Sequence, residues 1–131
     1  MNDSPRPDGL AVRRAAYKRG RGAERRAAWL LRAKGYRIVA RGYRCRAGEI
    51  DIIARRGTVL VAVEVKARGT LSAAAEAIDQ RQRDRITRAL SDFMVRKTDY
   101  AGWDIRFDAI LFSPWRRPQH IVDAWRPDGE N

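Results

Sequence analysis

Four charged residues interrupt the most apolar part of a strongly basic chain. Residues 48–68 read GEIDIIARRGTVLVAVEVKAR and include Glu49, Asp51, Glu64 and Lys66. Charged side chains rarely occupy a buried strand unless they are paired or bind a ligand. Carboxylates beside an ammonium group can hold a hard divalent cation, which takes oxygen ligands and keeps several waters. Such a cation lowers the pKa of a bound water and neutralises a phosphoryl oxygen, so these residues indicate phosphodiester hydrolysis.

The alternation of side chains along two predicted strands brings these charges together. Residues 49–55 and 58–67 are predicted strands, and RRGT between them predicts a tight antiparallel turn. In the register that we expect, Asp51 lies opposite Ala62 and diagonal to Glu64, and all four charges share one face of the sheet. An ion-pair cluster without a metal, in which the lysine neutralises one of the acids, is the alternative interpretation.

The remaining periodicities predict a single α/β domain. Besides the hairpin, we expect helices over residues 23–34 and 74–96 and strands over residues 36–43, 104–112 and 120–125. The order of elements is then α-β-β-β-α-β-β, with the last strand at a sheet edge. We expect the domain to span residues 11–126, between a disordered tail over residues 1–10 and a C-terminal tail over residues 127–131.

Positive charge is concentrated in one segment. The chain of 131 residues has a formal net charge of +12, and residues 13–46 hold 13 Lys and Arg residues but a single acid, Glu24. This clustering favours a protein that binds phosphate backbones over a solvated arginine-rich surface. Glu24 lies at the edge of the helix face that should pack on the sheet. It is either a further member of the acidic cluster or a partner in a helix salt bridge.

Composition also narrows the class of protein and its location. No apolar run approaches the roughly 20 residues that a membrane-spanning helix requires, and MNDSPRPDGL lacks the apolar core of a secretory signal. The single cysteine, Cys45, forms no internal disulfide, which favours a reducing compartment. One Cys and one His argue against a zinc site. We expect a cytoplasmic protein with no membrane partner, and oxygen ligands for any metal.

The ordered combination of these motifs resembles a known nuclease pattern. D-x12-E-x-K on a hairpin, preceded by a helix that carries a glutamate, is the core signature of PD-(D/E)XK nucleases, and the form here is similar to the archaeal Holliday-junction resolvase branch. The chain resembles the YraN-like family of uncharacterised bacterial proteins more closely. The matching segments are RGAERRAAWLLRAKGYRIVARGYRCRAGEIDIIARRGTVLVAVEVKAR, AAAEAIDQRQRDRI and RFDAIL.

The resemblance implies a fold, a cofactor and a set of site residues. The implied fold is a restriction-endonuclease-like mixed sheet flanked by helices, and the implied cofactor is Mg²⁺ or Mn²⁺. By position, the catalytic residues fall on Glu24, Asp51, Glu64, Lys66 and Gln82. Asp51 and Glu64 would hold the metal, and Lys66 would orient the attacking water.

Two positions depart from the family pattern. Gly42 stands where the family usually has Asn, and Gln82 stands where it usually has Lys. Because Gln82 lies on the apolar stripe between Ile78 and Ile86, it should face the sheet. From there it could hold a water or a phosphate, or it is a glutamine satisfied by backbone at the helix edge.

Basic residues near the acidic site supply the expected nucleic-acid contacts. The candidates are Arg21, Arg25, Arg41, Tyr43, Arg44, Arg46 and Arg81. We expect DNA rather than RNA as the partner, in branched or single-stranded form, and a homodimer by analogy with resolvases. Two other functions stay open: a nucleic-acid-binding module that keeps the fold without turnover, and an RNA-associated assembly factor in which the acids form only an ion pair.

Overall fold

A five-stranded mixed sheet with one helix on each face makes up the protein in a computed structural model that describes residues 22–67, 78–114 and 116–127. The strands are β1 (Arg37–Cys45), β2 (Gly48–Arg56), β3 (Val59–Ala67), β4 (Asp104–Phe112) and β5 (Gln119–Trp125). Helix α1 includes residues 22–33. Helix α2 spans Gln80–Arg96 and is followed by a 3-10 turn at Thr98–Tyr100. The predicted α/β class and the order α-β-β-β-α-β-β are confirmed.

The strands lie in the sheet in the order β1-β2-β3-β4-β5. Three neighbouring pairs are antiparallel, and β3 and β4 are parallel. A parallel pair needs a crossover connection, and α2 lies within that connection. β5 is at a sheet edge, as predicted. Within the described ranges, no helix combines the length and apolar character needed to cross a bilayer.

Alternation along β3 divides the hydrophobic core into two layers. Leu60 and Ala62 belong to the layer that α2 covers, whereas Val61 and Val63 belong to the layer that α1 covers. The helices bury apolar stripes against these layers, namely Ala23, Ala27, Ala28 and Leu31 of α1, and Ile86, Ala89, Leu90 and Phe93 of α2. Successive β3 residues therefore point to different helices, and this places the polar residues at its end on the α2 side.

The ends of the helices follow from local capping. Gly35, with a φ of 92°, follows the end of α1, as predicted. α2 begins at Gln80, so the prediction of helix at Ile78 and Asp79 was wrong, because the Asp79 carboxylate caps the helix by accepting the Gln82 N–H at 2.9 Å. The predicted N-terminal tail at 1–10, residues 128–131 of the predicted C-terminal tail at 127–131, a start of α1 near residue 11 and the predicted helical residues 74–77 fall outside the described residues. The domain limits remain a prediction.

The hairpin register differs from the expected one by two residues. Gly57 and Thr58 form a two-residue turn between the paired Arg56 and Val59, and Gly57 has a φ of 61°. Ala62 is consequently paired with Ile53 rather than with Asp51. A shift by an even number of residues keeps every side chain on its face of the sheet, so the predicted common face of the charges survives the error.

Candidate active site

Asp51 and Glu64 come together where the ladder between β2 and β3 ends. The last backbone pair of that ladder joins Ile52 and Val63. Beyond it, the Asp51 carboxylate accepts the Val65 N–H at 2.8 Å, so a side chain takes the place of a strand partner. A side-chain hydrogen bond links Asp51 with Glu64. The residues that the sequence separates by twelve positions are thus in direct contact on the α2 side of the sheet.

Glu64 is also the point on which the two other candidate residues converge. Its side chain is almost fully buried, and its Oε2 atom lies 3.4 Å from Nζ of Lys66. The same oxygen accepts a hydrogen bond from Nε2 of Gln82. Gln82 reaches it from the first turn of α2, as its place on the apolar stripe predicted. Glu64 is therefore held from its own strand and from the covering helix.

Burial shifts the pKa values of both acids upward. Burial raises the pKa of Glu64 to about 8, the Asp51 carboxylate adds to the rise, and the charge of Lys66 opposes it. Burial also raises the pKa of Asp51, against the lowering effects of the Val65 N–H and the hydrogen bond with Glu64. One ammonium group does not compensate two buried carboxylates, so the pair retains a proton near neutral pH in the absence of a cation.

An open cleft of about 580 Å³ lies over this pair. Its lining consists of Glu49, Asp51, Glu64, Asp79, Arg81, Gln82, Arg85 and Ile86. Carboxylates from β2 and β3 thus share one cleft with two arginines from α2. Such a cleft can bind an anionic group such as a phosphate. The arginines would contact it directly, and a cation held by the carboxylates would contact it from the other side.

A glycine brings α2 close to the start of β2. A Cβ atom on Gly48 would lie 3.1 Å from Cβ and 3.3 Å from the carbonyl oxygen of Arg85. The guanidinium Nε of Arg85 donates to the Ala47 carbonyl at 3.4 Å, across the same contact. Because these neighbours include helix backbone, a larger residue at position 48 would move the helix wall of the cleft. Gly48 thereby sets the distance between the two walls.

The structure places Glu24 beside Gly42 of β1. Its Oε1 atom lies 4.0 Å from the position of a Cβ on Gly42, which lies across the β1–β2 ladder from Asp51. Among the described residues, no three His, Cys, Asp or Glu side chains form a group that could hold an ion. Asp51 and Glu64 are a pair there, and the role of Glu24 stays a prediction.

The predicted nucleic-acid contacts are dispersed over the molecule. Arg81 lines the cleft, and Arg44 pairs with Glu49, another residue of the lining, at 3.1 Å. Tyr43 packs on the α2 side, and its hydroxyl donates to Asp92. The Tyr43 hydroxyl is therefore already engaged, and burial together with this bond raises the pKa of Tyr43 to about 12.

The other four candidates lie away from the cleft lining or outside the described residues. Arg41 and Arg46 are exposed on β1 and in the turn that follows it. Arg25 is exposed on α1, across the sheet from the cleft. Arg21 falls outside the described residues.

A second buried carboxylate, Asp108, was missed by the sequence reasoning. It is fully buried on the α1 side, and its carboxylate accepts hydrogen bonds from Nε and Nη2 of Arg106, both at 2.8 Å. It also accepts Nε2 of His120 at 2.8 Å and the Asp123 N–H at 3.0 Å. The signal in the sequence is R-x-D within an apolar strand, which places an arginine and an aspartate side by side on one face.

The chain belongs to the uncharacterised protein family UPF0102, whose model matches residues 23–112. This agrees with the YraN-like resemblance inferred from the motifs. A UPF0102 protein of Parvibaculum lavamentivorans is 52% identical over 113 residues, covering 86% of this chain and 85% of the relative. Another, from Paramagnetospirillum magneticum, is 46% identical over 132 residues, covering 98% of this chain and 100% of the relative.

The chemistry of the acidic pair fits a hard divalent cation. Mg²⁺ is commonly bound by one or two carboxylates together with waters and substrate phosphates, and does not need a complete protein cage. Asp51 and Glu64 are two such carboxylates, and they open into a cleft that has room for waters and a phosphate. Their raised pKa values mean that metal binding would displace a proton.

Proposed function

We propose that this protein is a metal-dependent nuclease that hydrolyses phosphodiester bonds of nucleic acid, with DNA as the favoured substrate. The observation that carries the proposal is the contact between Asp51 and Glu64 at the base of a cleft whose other wall bears arginines. The net charge of +12 supports a polyanionic substrate. The resemblance to PD-(D/E)XK nucleases agrees with these observations.

Each residue of the site has a chemical task in this proposal. Asp51 and Glu64 would hold Mg²⁺ or Mn²⁺, and the bound ion would supply a water of lowered pKa and neutralise charge on the scissile phosphate. Lys66, 3.4 Å from Glu64, places its ammonium group where it can orient the attacking water. Gln82 keeps Glu64 in position from the helix side.

The helix wall of the cleft accounts for substrate binding. Arg81 and Arg85 project from the first turns of α2 toward the cleft. Arginine binds phosphate through a planar set of donors, so the pair can hold a phosphate next to the scissile one. Binding through these groups should weaken steeply as salt rises, because phosphate contacts release counterions.

A cleavage assay with a matched control tests the proposal. We would incubate the full chain with Mg²⁺ or Mn²⁺ and with linear, single-stranded, flapped and four-way-junction DNA, beside Glu64→Gln and Asp104→Asn. Glu64→Gln removes a proposed ligand and should lower the rate by about 100-fold or more, whereas Asp104→Asn changes an exposed carboxylate at the far end of β4 and should leave it unchanged. Equal cleavage by wild type and Glu64→Gln would contradict the proposal.

The binding-module alternative predicts a different result in the same samples. It is favoured by one observation, namely that Lys66 and Gln82 both already contact Oε2 of Glu64. A module of this kind would bind DNA in a salt-sensitive manner, with the same affinity in wild type and Glu64→Gln, and would cleave none of the substrates. Replacing DNA by RNA of the same shapes extends the test to the assembly-factor alternative.

A further inference from the structure

The outward side of α1 presents an exposed tryptophan between arginines. Trp29 is 65% exposed, an unusual state for so large an apolar side chain. Arg25 and Arg32 lie about one turn before and after it and are also exposed. The Arg32 guanidinium is 5.5 Å from the centre of the Trp29 ring. We refer to these three residues as the α1 outer face.

The α1 outer face is remote from the acidic cleft. The inner side of α1 packs on Val61 and Val63, whereas the cleft opens on the side of the sheet that α2 covers. The sheet therefore separates Trp29 from Asp51 and Glu64. Trp29 is not among the residues that line the cleft, so the proposed cleavage step leaves this surface unexplained.

We propose that the α1 outer face is a second nucleic-acid site, at which Trp29 stacks on an unpaired base while Arg25 and Arg32 contact the neighbouring phosphates. Every base offers a π face, so stacking on an indole needs no particular sequence. Guanidinium groups on both sides of the ring match the phosphates that flank a base along a strand. The inference rests on the nucleic-acid partner of the proposed function but not on its cleavage step.

Charge and composition argue against the other occupants of this surface. The preceding residues 1–21 contain six Lys and Arg residues and two Asp residues, so they would be repelled by the arginines of α1. A second copy of the chain would bring the same positive face. An amphipathic helix on a membrane inserts several large apolar side chains, but the α1 outer face has one.

Binding of single-stranded DNA in the absence of metal tests the inference. We would titrate the full chain into a fluorescent single-stranded oligonucleotide in EDTA and follow the anisotropy at several salt concentrations. Trp29→Ala should raise the dissociation constant about 10-fold, and Trp29→Phe should restore most of the affinity because a phenyl ring also stacks. Val95→Ala, which shortens a side chain that is 77% exposed on α2, is the control and should bind as wild type does.

The arginines have their own signature in the same titrations. Arg25→Gln and Arg32→Gln should each reduce the slope of log affinity against log salt by about one phosphate contact. Arg117→Gln, at an exposed position ahead of β5, should not change that slope. Circular dichroism of every variant confirms that the fold is kept.

Several outcomes would overturn the inference. Binding by Trp29→Ala that equals wild-type binding would do so. If Trp29→Ala bound the oligonucleotide normally but lost binding to vesicles that contain anionic lipid, a membrane would be the partner and the inference would also fail. Equal quenching of wild type and Trp29→Phe by acrylamide would show that another part of the chain covers Trp29. Because no cleavage occurs in EDTA, loss of binding through Trp29 and failure of the nuclease proposal are separate results.

Discussion

Two buried carboxylate clusters lie on opposite faces of the same sheet. On the α1 side, Asp108 is a single acid that accepts four hydrogen bonds, three of them from Arg106 and His120. Burial alone would raise its pKa, but these bonds together hold the pKa of Asp108 below its usual value. On the α2 side, Asp51 and Glu64 share one ammonium group, and the pKa values of both are raised.

The ratio of donors to acids, rather than burial, separates the two clusters. Asp108 is satisfied by groups of the protein itself and joins β4 to β5, so it needs no ligand. The Asp51–Glu64 pair has one ammonium group for two carboxylates and faces a cleft. Two buried carboxylates destabilise the fold unless a cation or a proton compensates their charge. Carboxylates with pKa values shifted in this way are typical of functional sites.

The largest expected effect is on the Asp108 side. Asp108→Ala leaves the Arg106 guanidinium and His120 without their shared acceptor, and should lower the free energy of unfolding by about 3–5 kcal/mol. Urea denaturation at pH 7 measures this change. Asp104→Ala, an exposed acid of the same strand, is the control and should stay within about 0.5 kcal/mol of wild type. A small effect of Asp108→Ala would remove the distinction between the clusters.

The cleft pair should show the opposite behaviour. The pKa of Glu64 is about 8 in the folded protein against an ordinary value of 4.5, so without metal the free energy of unfolding should fall as pH rises from about 4.5 to about 8. Glu64→Gln cannot ionise and should abolish that fall, so that it is more stable than wild type by at least about 1 kcal/mol at pH 8. Urea titrations in EDTA between pH 5 and pH 9 provide the measurement.

Asp108 supplies the acid branch of the same profile. Because its pKa is lowered, its contribution to stability is present above about pH 4 and lost as pH falls through its folded-state pKa. Glu64→Gln should leave this acid branch intact. Equal pH profiles for wild type and Glu64→Gln would mean that Glu64 is ionised in the folded protein at neutral pH.

Metal binding should release protons from the cleft. At pH 7 the Asp51–Glu64 pair retains a proton that a divalent cation must displace, so we expect close to one proton per Mn²⁺ bound. Calorimetric titration in two buffers of different ionisation enthalpy measures the number. The rise in melting temperature with Mn²⁺ should be larger at pH 8.5 than at pH 6. Glu64→Gln should show neither effect, and proton release by that variant would place the metal elsewhere.

The last expected effect concerns the spacing of the cleft walls. Gly48→Ala introduces a methyl group 3.1 Å from Cβ of Arg85 and should cost about 1–3 kcal/mol in unfolding free energy while weakening DNA binding in the cleft. Gly22→Ala, with open space around its position on α1, is the matched control and should be neutral or stabilising by up to about 1 kcal/mol. Equal effects of the two changes would remove the role assigned to Gly48.

Much of the fold followed from short-range patterns in the sequence. Alternation in β2 and β3 predicted the face of Asp51 and Glu64, and that face was right although the register was off by two residues. The apolar stripe of α2 predicted that Gln82 faces the sheet. Capping by Asp79 moved the helix start, because side-chain capping competes with periodicity at helix ends.

The Asp108 cluster could not be obtained in the same way. It combines Arg106 and Asp108 of β4 with His120 of β5. Tyr36, which lies just before β1, completes it, because its hydroxyl oxygen accepts a hydrogen bond from Nη2 of Arg106 at 2.6 Å. Contacts between positions 70 residues apart depend on the packing of α1 over the sheet. The exposure of Trp29 could not be predicted from the sequence either, since helical spacing alone does not tell which side of α1 remains uncovered.

The two-residue turn at Gly57 and Thr58 also bears on the order in which the site assembles during folding. Asp51, Glu64 and Lys66 meet through a hairpin whose closure involves neighbouring residues, a step that takes microseconds in small hairpins. The arginine wall depends on α2, which is docked only when the parallel pairing of Val59 with Asp104 closes a long loop. We expect the carboxylate pair to form early and the complete cleft to form late, so that the proposed metal ligands come together before the arginine wall exists.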